Sequence, residues 1–311
     1  MNFTPLRIST VKPNHKLTFD LYIYFKNHYL CYTKRGEELS IDKFQKLKKQ
    51  KIAKFFITEA DEINYQKFLD ALLDETLSNP NTDVVEKINL AGDAASSAVE
   101  RMQKNPTEGS YRATAKAAKG LRQLITSTPA MLKEIFDKKV EKNEEIIKHS
   151  LNVCALSLKL AASKKCSEAD MDNLGIAALI HDIGLASLAP ESVGLFYKDK
   201  KTMSVEEKKI FYSHCFNADE LLRSKPFINP NILQLILNHE EVLSGNGPNK
   251  KKKLSLTEEI LSLVNNYDKR ILTRGISPQE ALKELMIDEL GNYNLDLLNH
   301  FKKVLQEEGL I

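Results

Sequence analysis

The feature that most constrains the fold is the pair His181-Asp182, which directly follows an almost wholly apolar stretch from Leu174 to Ile180. A continuous apolar run of this kind predicts a helix that is buried on all sides, and Gly184 is of a residue type that often ends helices. An aspartate beside a buried segment must be paired with another charge or bind a metal ion. The sequence therefore predicts a helical domain with an ionic or metal-binding site in its interior.

Further histidines fall in the same part of the chain, each with apolar residues close by. A single histidine of this kind is usually a core residue, but four in one domain favour a metal site. Imidazole and carboxylate suit borderline divalent metals such as Fe, Mn, Zn and Ni. The wide spacing excludes a zinc finger and requires ligands from several helices of a bundle. The candidate metal ligands are Glu145, His149, His181, Asp182, His214, His239, Asn265 and Asp268.

Carboxylates and an amide accompany these histidines. Glu145 and His149 are four residues apart, so they share one face of a helix. Glu240 follows the last of the four histidines and could orient a ligand through a hydrogen bond. Asn265 and Asp268 lie in another apolar helical stretch. We expect one of these last two residues to close the site, and the sequence leaves open which one.

Composition excludes several classes of protein. The chain has 311 residues, enough for roughly two domains, and its hydrophobic fraction of 42% excludes general disorder. A formal net charge of +3 gives no sign of binding to a nucleic-acid polymer. The four cysteines form no CxxC pair, which fits reduced thiols in a cytoplasm. Because no apolar run approaches the roughly 18 residues of a membrane span, we expect a soluble cytoplasmic protein.

The sequence predicts a mainly α protein in three parts. Residues 1–78 read as a small α/β domain, with strands such as Phe19–Phe25 and Ile52–Ile57, and we interpret this part as a partner-binding or dimerising module. Residues 79–139 form a helical linker region. Residues 140–311 form the metal-binding helical domain, in which His214 is expected at the end of a helix that starts near Ser204.

Over roughly residues 140–308 the chain resembles the HD-GYP family, a branch of the HD superfamily of metal-dependent phosphohydrolases. The resemblance is carried by five segments, in this order: His149–Val153, Ala178–Gly184, Ser204–Glu207, Asn238–Glu240 and Ser277–Leu282. It implies an all-helical domain that holds two or three metal ions, often iron, and hydrolyses the bacterial messenger cyclic di-GMP. Asp182 would bridge two metal ions. The family ligand positions are matched by Glu145, His149, His181, Asp182, His214 and His239.

The chain also departs from the family pattern. Leu185 replaces the lysine that usually follows the HDIG string, and Asn238 replaces a histidine. The loop Glu241–Pro248 lacks the tyrosine of the GYP motif. In strict register Asn265 falls on the family's metal-binding aspartate, while Asp268 matches the second aspartate. One fewer carboxylate and one fewer imidazole favour two metal ions, with iron expected first and manganese second.

The leading hypothesis is a cyclic di-GMP phosphodiesterase in which a hydroxide between two metal ions attacks phosphorus. His181 and Asp182 are the expected catalytic residues, and Asn246 and Lys250 are candidate substrate contacts. One alternative is a non-catalytic receptor that binds a cyclic dinucleotide or a protein partner through the degenerate site. Another is an HD hydrolase of a different phosphate ester, such as a nucleotide.

Overall fold

The computed structural model describes residues 2–50, 52, 54–128, 131–137 and 144–311. The chain divides into two compact units, Met1–Ser97 and Ala98–Ile311. The predicted boundary at residues 139 and 140 lies outside the described residues, and the three-part division of the chain stays a prediction. The predicted fold class, mainly α with a small N-terminal α/β domain, is confirmed.

The first unit contains a four-stranded antiparallel sheet in the order β1-β4-β2-β3. Leu6 on β1 pairs with Phe55 on β4, and both side chains are buried. The strands are β1 (Phe3–Arg7), β2 (Leu21–Phe25), β3 (His28–Thr33) and β4 (Lys54–Thr58), and the helices are α1 (Ile41–Lys49), α2 (Glu62–Ser78) and the start of α3 (Val84–Lys104).

Helix α2 supplies much of the core of this unit. The ring of Phe19 meets the rings of Tyr65 and Phe68 edge to face, with centroid distances of 5.6 and 5.5 Å. The Tyr65 hydroxyl, although buried, donates a hydrogen bond to the Thr10 hydroxyl at 2.8 Å. Strand β1 was not predicted, because it is short and contains Pro5, a residue that weakens a strand signal.

The second unit consists of helices joined by short 3₁₀ segments and loops. Helix α7 contacts α4, α6 and α9, and α10 packs on α6. Among the described helices, none is both long and apolar enough to cross a membrane. The helices are α4 (Glu108–Ser127), α5 (Met131–Asp137), α6 (Glu145–Ser163), α7 (Glu168–Ile180), α8 (Val205–Arg223), α9 (Pro230–Asn238), α10 (Leu256–Arg274), α11 (Pro278–Asp288) and α12 (Leu295–Glu307).

Local sequence explains where α8 begins and how far it extends. Ser204 and Glu207 form a capping box, in which each side chain accepts a hydrogen bond from the backbone N–H of the other residue. The helix then continues to Arg223, so His214 lies in its middle and not at its end as the sequence analysis expected. The helix extends because the buried face continues through Ala218 and Leu222.

Gly184 has a different role from the one predicted. Helix α7 ends at Ile180, before the HDIG string, and Gly184 lies in the following 3₁₀ segment Ile183–Ser187. A Cβ atom on Gly184 would lie 1.9 Å from the backbone oxygen of His214. The glycine is therefore required for close packing of this segment against α8.

Candidate metal centre

Four buried histidines and one buried aspartate meet inside the second unit. His149 comes from α6, and His181 and Asp182 directly follow α7. His214 comes from the middle of α8, and His239 directly follows α9. Because each of these side chains is at most 3% exposed, the polar atoms must be satisfied inside the protein.

Three of the histidine rings are oriented by the backbone. His181, His214 and His239 each donate Nδ1–H to the carbonyl oxygen three residues earlier, at 2.8 Å for His181 and 2.6 Å for His239. A carbonyl oxygen can only accept a hydrogen bond, so the proton must be on Nδ1. In the neutral ring the Nε2 lone pair is then free to bind a metal ion.

His149 is oriented by a carboxylate instead. Its Nδ1 lies 2.6 Å from Oδ2 of Asp268, whose other oxygen accepts a hydrogen bond from Asn152 Nδ2 at 2.9 Å. On the opposite side of the ring, the Nε2 atom of His149 lies 3.0 Å from Oδ1 of Asn265. The structure therefore places Asn265 on the Nε2 side of the ring and Asp268 on the Nδ1 side.

The free Nε2 atoms form two pairs. Those of His149 and His181 are 3.3 Å apart, and those of His214 and His239 are 2.9 Å apart. Asp182 lies between the pairs. Its Oδ2 atom is 3.7 Å from His149 Nε2 and 3.3 Å from His181 Nε2. Its Oδ1 atom is 3.3 Å from His214 Nε2 and 3.7 Å from His239 Nε2.

The donor set fits two divalent metal ions. Two nitrogen ligands about 2.0–2.1 Å from one ion are roughly 3.0–3.4 Å apart when the angle between them is 90–109°, which is close to the spacing in both pairs. Among the described residues, buried Asp182 Oδ2 has no hydrogen-bond partner. One ion fits between His149, His181 and Asp182, and a second fits beside His214 and His239.

Burial and charge set the protonation of these groups. Burial lowers the pKa of His239 to about 4 and also lowers the pKa of His149, which favours the neutral, metal-binding form. Burial alone would raise the pKa of Asp182, but His181 and Lys269 hold it well below its usual range. Asp182 is therefore an anion at the centre of the site.

The pKa of His214 shifts in the opposite direction from those of His149 and His239. Burial lowers its pKa, but the neighbouring Cys215 and Asp182 outweigh burial and raise the pKa well above its ordinary value. The raised pKa favours the doubly protonated ring, so a metal ion at this ring would compete with a proton.

Three predicted site residues take part in none of the contacts described so far. Glu145 is half-buried in the first turn of α6, and with His149 it lines a cavity of about 750 Å³. Asn246 and Lys250 are exposed in the loop that follows His239.

Glu240 contacts Asn265, one of the candidate metal ligands. Its carboxylate accepts hydrogen bonds from Lys200 Nζ at 2.8 Å and from Asn265 Nδ2 at 3.1 Å. The second bond turns the amide oxygen of Asn265 towards His149. Burial alone would raise the pKa of Glu240, but Lys200 and the nearby imidazoles lower it to about 2. The carboxylate therefore stays ionised.

Sequence reasoning missed Lys269 as a site residue. This lysine is buried, and its Nζ lies 3.0 Å from the centre of the Phe196 ring and 5.4 Å from that of Phe211. Burial lowers its pKa to about 8, while Asp182 and Glu240 oppose the shift. A lysine directly after Asp268 in an apolar helix was the available signal.

Sequence reasoning also missed Cys215, which it treated only as a reduced thiol. Its Sγ atom lies 3.7 Å from Nε2 of His214. Its position next to His214 in the sequence was the signal that could have identified it.

Comparisons with known proteins give a family and a fold for the chain. The family model described as HD domain matches residues 128–296. The structure is similar to that of Bd1817, a HDG"Y"P protein from Bdellovibrio bacteriovorus, with a TM-score of 0.75 and 23% sequence identity over 98% of this chain and 100% of that chain. No curated protein matches the sequence at a significant level.

The HD-domain match and the two clusters of metal-ligand residues together support a metal-dependent phosphohydrolase. The similarity to Bd1817 shows that the chain has the fold of an HD-GYP protein. The family prediction from the sequence is confirmed: the chain belongs to the HD-domain family.

Proposed function

We propose that this protein is a metal-dependent phosphodiesterase that acts on cyclic di-GMP through two divalent metal ions, with iron expected first and manganese second. The observation that carries the proposal is the position of Asp182, each of whose oxygens faces a different pair of imidazole nitrogens. In the proposed ligand set, Asn265 is the fourth residue on the His149 side, after His149, His181 and Asp182. Asp268 positions His149 through Nδ1 and binds no metal ion.

Bound divalent ions would supply a water molecule of lowered pKa and would neutralise charge on the phosphate. The chain's own residues hold the site in place. Asp182 contributes a carboxylate that stays ionised, and Lys200 fixes Glu240, which in turn fixes Asn265. Lys269 supplies a buried positive charge near the anions, and it would stabilise negative charge on a phosphodiester.

A cavity supports the proposal that a large ligand reaches the site. It measures about 750 Å³, which is within the usual range for ligand pockets. His149 lies on its wall, together with Glu145 and the cations Lys133 and Lys148. We propose that the substrate approaches His149 through this cavity, rather than through the exposed positions Asn246 and Lys250.

The non-catalytic receptor remains the second candidate function, and a specific observation favours it. Leu185 is buried where the family places a lysine. The loop that replaces the GYP motif is folded around buried Glu241, whose carboxylate accepts hydrogen bonds from the backbone N–H groups of Asn249 and Lys251. These two backbone donors are therefore used internally and are not offered to a phosphate.

Turnover measurements separate these functions. The protein is purified without oxygen, loaded with Fe²⁺ or Mn²⁺, and incubated with cyclic di-GMP and with a panel of other phosphate esters. The proposal predicts a linear dinucleotide or GMP on chromatography, and no product from Asp182→Ala. Cyclic di-GMP binding without turnover by metal-loaded protein would favour the receptor. Turnover of a different ester alone would identify another HD hydrolase.

The role of residues 1–78 as a partner-binding module, and the location of the protein in the cytoplasm, stay predictions. The cysteines of the chain are free thiols, which is consistent with a reducing compartment.

A further inference from the structure

We propose that Cys215 is a thiolate ligand of the metal ion held by His214 and His239, so that the two halves of the centre have different donor sets. This inference rests on the proposed metal centre and extends it by one residue. Cys215 lies on α8 and is fully buried. Its thiol therefore has no solvent partner, and its role depends on the groups packed around it.

The geometry places the sulfur among the other donor atoms. The Sγ atom of Cys215 lies 3.7 Å from Nε2 of His214. Donor atoms of Cys215, His214 and His239 all lie within 4.8 Å of one another. A sulfur at about 2.3 Å and a nitrogen at about 2.0–2.1 Å from one tetrahedral ion are roughly 3.6 Å apart. The sulfur–nitrogen distance therefore fits two ligands of one metal ion.

A second observation, independent of the cysteine, points to an ion at the same place. The Nε2 atoms of His214 and His239 face each other at 2.9 Å, while the Nδ1 atom of each ring donates to a backbone carbonyl. Oδ1 of Asp182 lies 3.3 Å from the first of these Nε2 atoms. With the sulfur, the two Nε2 atoms and Oδ1 of Asp182 would give the ion four donors, the number that a tetrahedral site requires.

Another buried cysteine shows what an ordinary thiol does in this fold. Cys154 on α6 is also fully buried, and its Sγ donates to the carbonyl oxygen of Gly175 at 3.5 Å. Cys215 instead faces an imidazole nitrogen that belongs to the metal cluster. Cys154 therefore provides a matched control for the proposed ligand.

The two halves of the centre should prefer different metals. Around the first ion the donors are two imidazoles, a carboxylate oxygen and the Asn265 amide oxygen. Around the second ion, the thiolate of Cys215 adds a soft donor, and its proton passes to water as the metal–sulfur bond forms. Soft ligands favour Zn²⁺, Fe²⁺ and Co²⁺ over Mn²⁺ and Mg²⁺. The second site should therefore retain Zn²⁺ or Co²⁺ when the protein is exposed to excess Mn²⁺.

Co²⁺ binding tests the proposal without a measurement of catalysis. Metal-free full-length protein is titrated with Co²⁺ in the absence of oxygen, and both the bound metal and the absorption spectrum are recorded. A thiolate bound to Co²⁺ gives an intense near-ultraviolet charge-transfer band. We expect this band in the wild-type protein and in Cys154→Ser, and we expect Cys215→Ser to bind Co²⁺ without it.

Each contrary result has a distinct meaning. If wild-type protein binds two Co²⁺ ions without the charge-transfer band, Cys215 is not a ligand and the metal centre stands. If Cys215→Ser keeps the band, the proposal is also overturned. If no Co²⁺ binds at all, both the cysteine ligand and the proposed centre fail. The titration of wild-type protein alone shows whether Co²⁺ binds and whether the charge-transfer band appears. These two results therefore stand even if Cys215→Ser does not fold.

Discussion

The Nε2 atoms of His214 and His239 lie 2.9 Å apart in the interior of the protein. Each ring is held by a hydrogen bond from its Nδ1 atom to the backbone, so neither ring turns away from the other. Two facing lone pairs at this distance repel unless a proton or a metal ion lies between them. The raised pKa of His214 favours a proton in this position, and we propose that a metal ion replaces it.

Replacing Asp268 by asparagine tests its role as a positioning residue. Asp268 accepts a hydrogen bond from His149 Nδ1 at 2.6 Å, and removal of such a partner typically lowers metal affinity 10–100-fold. We expect Asp268→Asn to lower the affinity for the metal ion beside His149 by that factor. The affinity for the ion beside His214 should not change. Titration calorimetry measures both affinities, with the exposed Asp296→Asn as a control. An equal loss of affinity at both metal sites would contradict this role.

Adding one methyl group at Gly184 should disturb α8. The new Cβ atom would overlap the backbone oxygen of His214, and overpacking of this kind costs about 1–3 kcal/mol. We expect Gly184→Ala to lower the free energy of unfolding by about that amount and to weaken metal binding. Gly194→Ala is the matched control, because nothing lies within 4 Å of a Cβ atom there. Similar unfolding curves for the two variants would rule out the close-packing explanation.

Lys269→Met should raise the stability of the protein and lower its activity. Burial lowers the pKa of Lys269 from 10.5 to about 8, so between these pH values the unfolded chain binds more protons and stability rises with pH. Below this window the buried charge costs about 3 kcal/mol. We therefore expect metal-free Lys269→Met to be more stable than wild type at pH 7, as measured by urea unfolding. A less stable variant would contradict this.

The same substitution removes a positioned charge from the site. Loss of one such group costs on the order of 10²-fold in rate. We expect Lys269→Met to hydrolyse cyclic di-GMP more slowly by about this factor while keeping its metal ions. Unchanged turnover would show that Lys269 does not act on the substrate.

Glu240 should contribute to stability in a defined pH window. Its folded pKa is about 2, compared with an ordinary value of 4.5, so its contribution is complete above pH 4.5 and is lost as the pH falls towards 2. At neutral pH, Glu240→Gln should cost about 3 kcal/mol, and the difference from wild type should shrink as the pH falls through this window. Urea unfolding at several pH values measures the difference in unfolding free energy between the variant and wild type. Glu307→Gln on the exposed end of α12 is the control. A difference that does not depend on pH would contradict the assignment.

The sequence predicted the helices that carry the histidines because their apolar patterns are long. It also predicted His181 and Asp182 as a pair, since a charge at the end of a buried helix requires a partner. It did not predict the full length of α8, because the pattern after His214 combines small and polar residues. Strand β1 was not predicted because it is short and contains Pro5.

The finer arrangement of the site depended on three-dimensional structure. Asn265 and Asp268 are three residues apart on one helix face, so spacing does not distinguish them. Only the orientation of the His149 ring shows that Asn265 faces Nε2 and Asp268 faces Nδ1. Lys269 and Cys215 were missed because their surroundings come from other helices and segments.

The most direct test of the central claim is the number of metal ions bound by each chain. Protein purified without oxygen is reconstituted with Fe²⁺, freed of excess metal and measured by elemental analysis, with circular dichroism as a check of folding. We predict two ions per wild-type chain and loss of both from folded Asp182→Ala, since this carboxylate faces both pairs of histidines. A single ion in the wild type, or two ions retained by Asp182→Ala, would contradict the account.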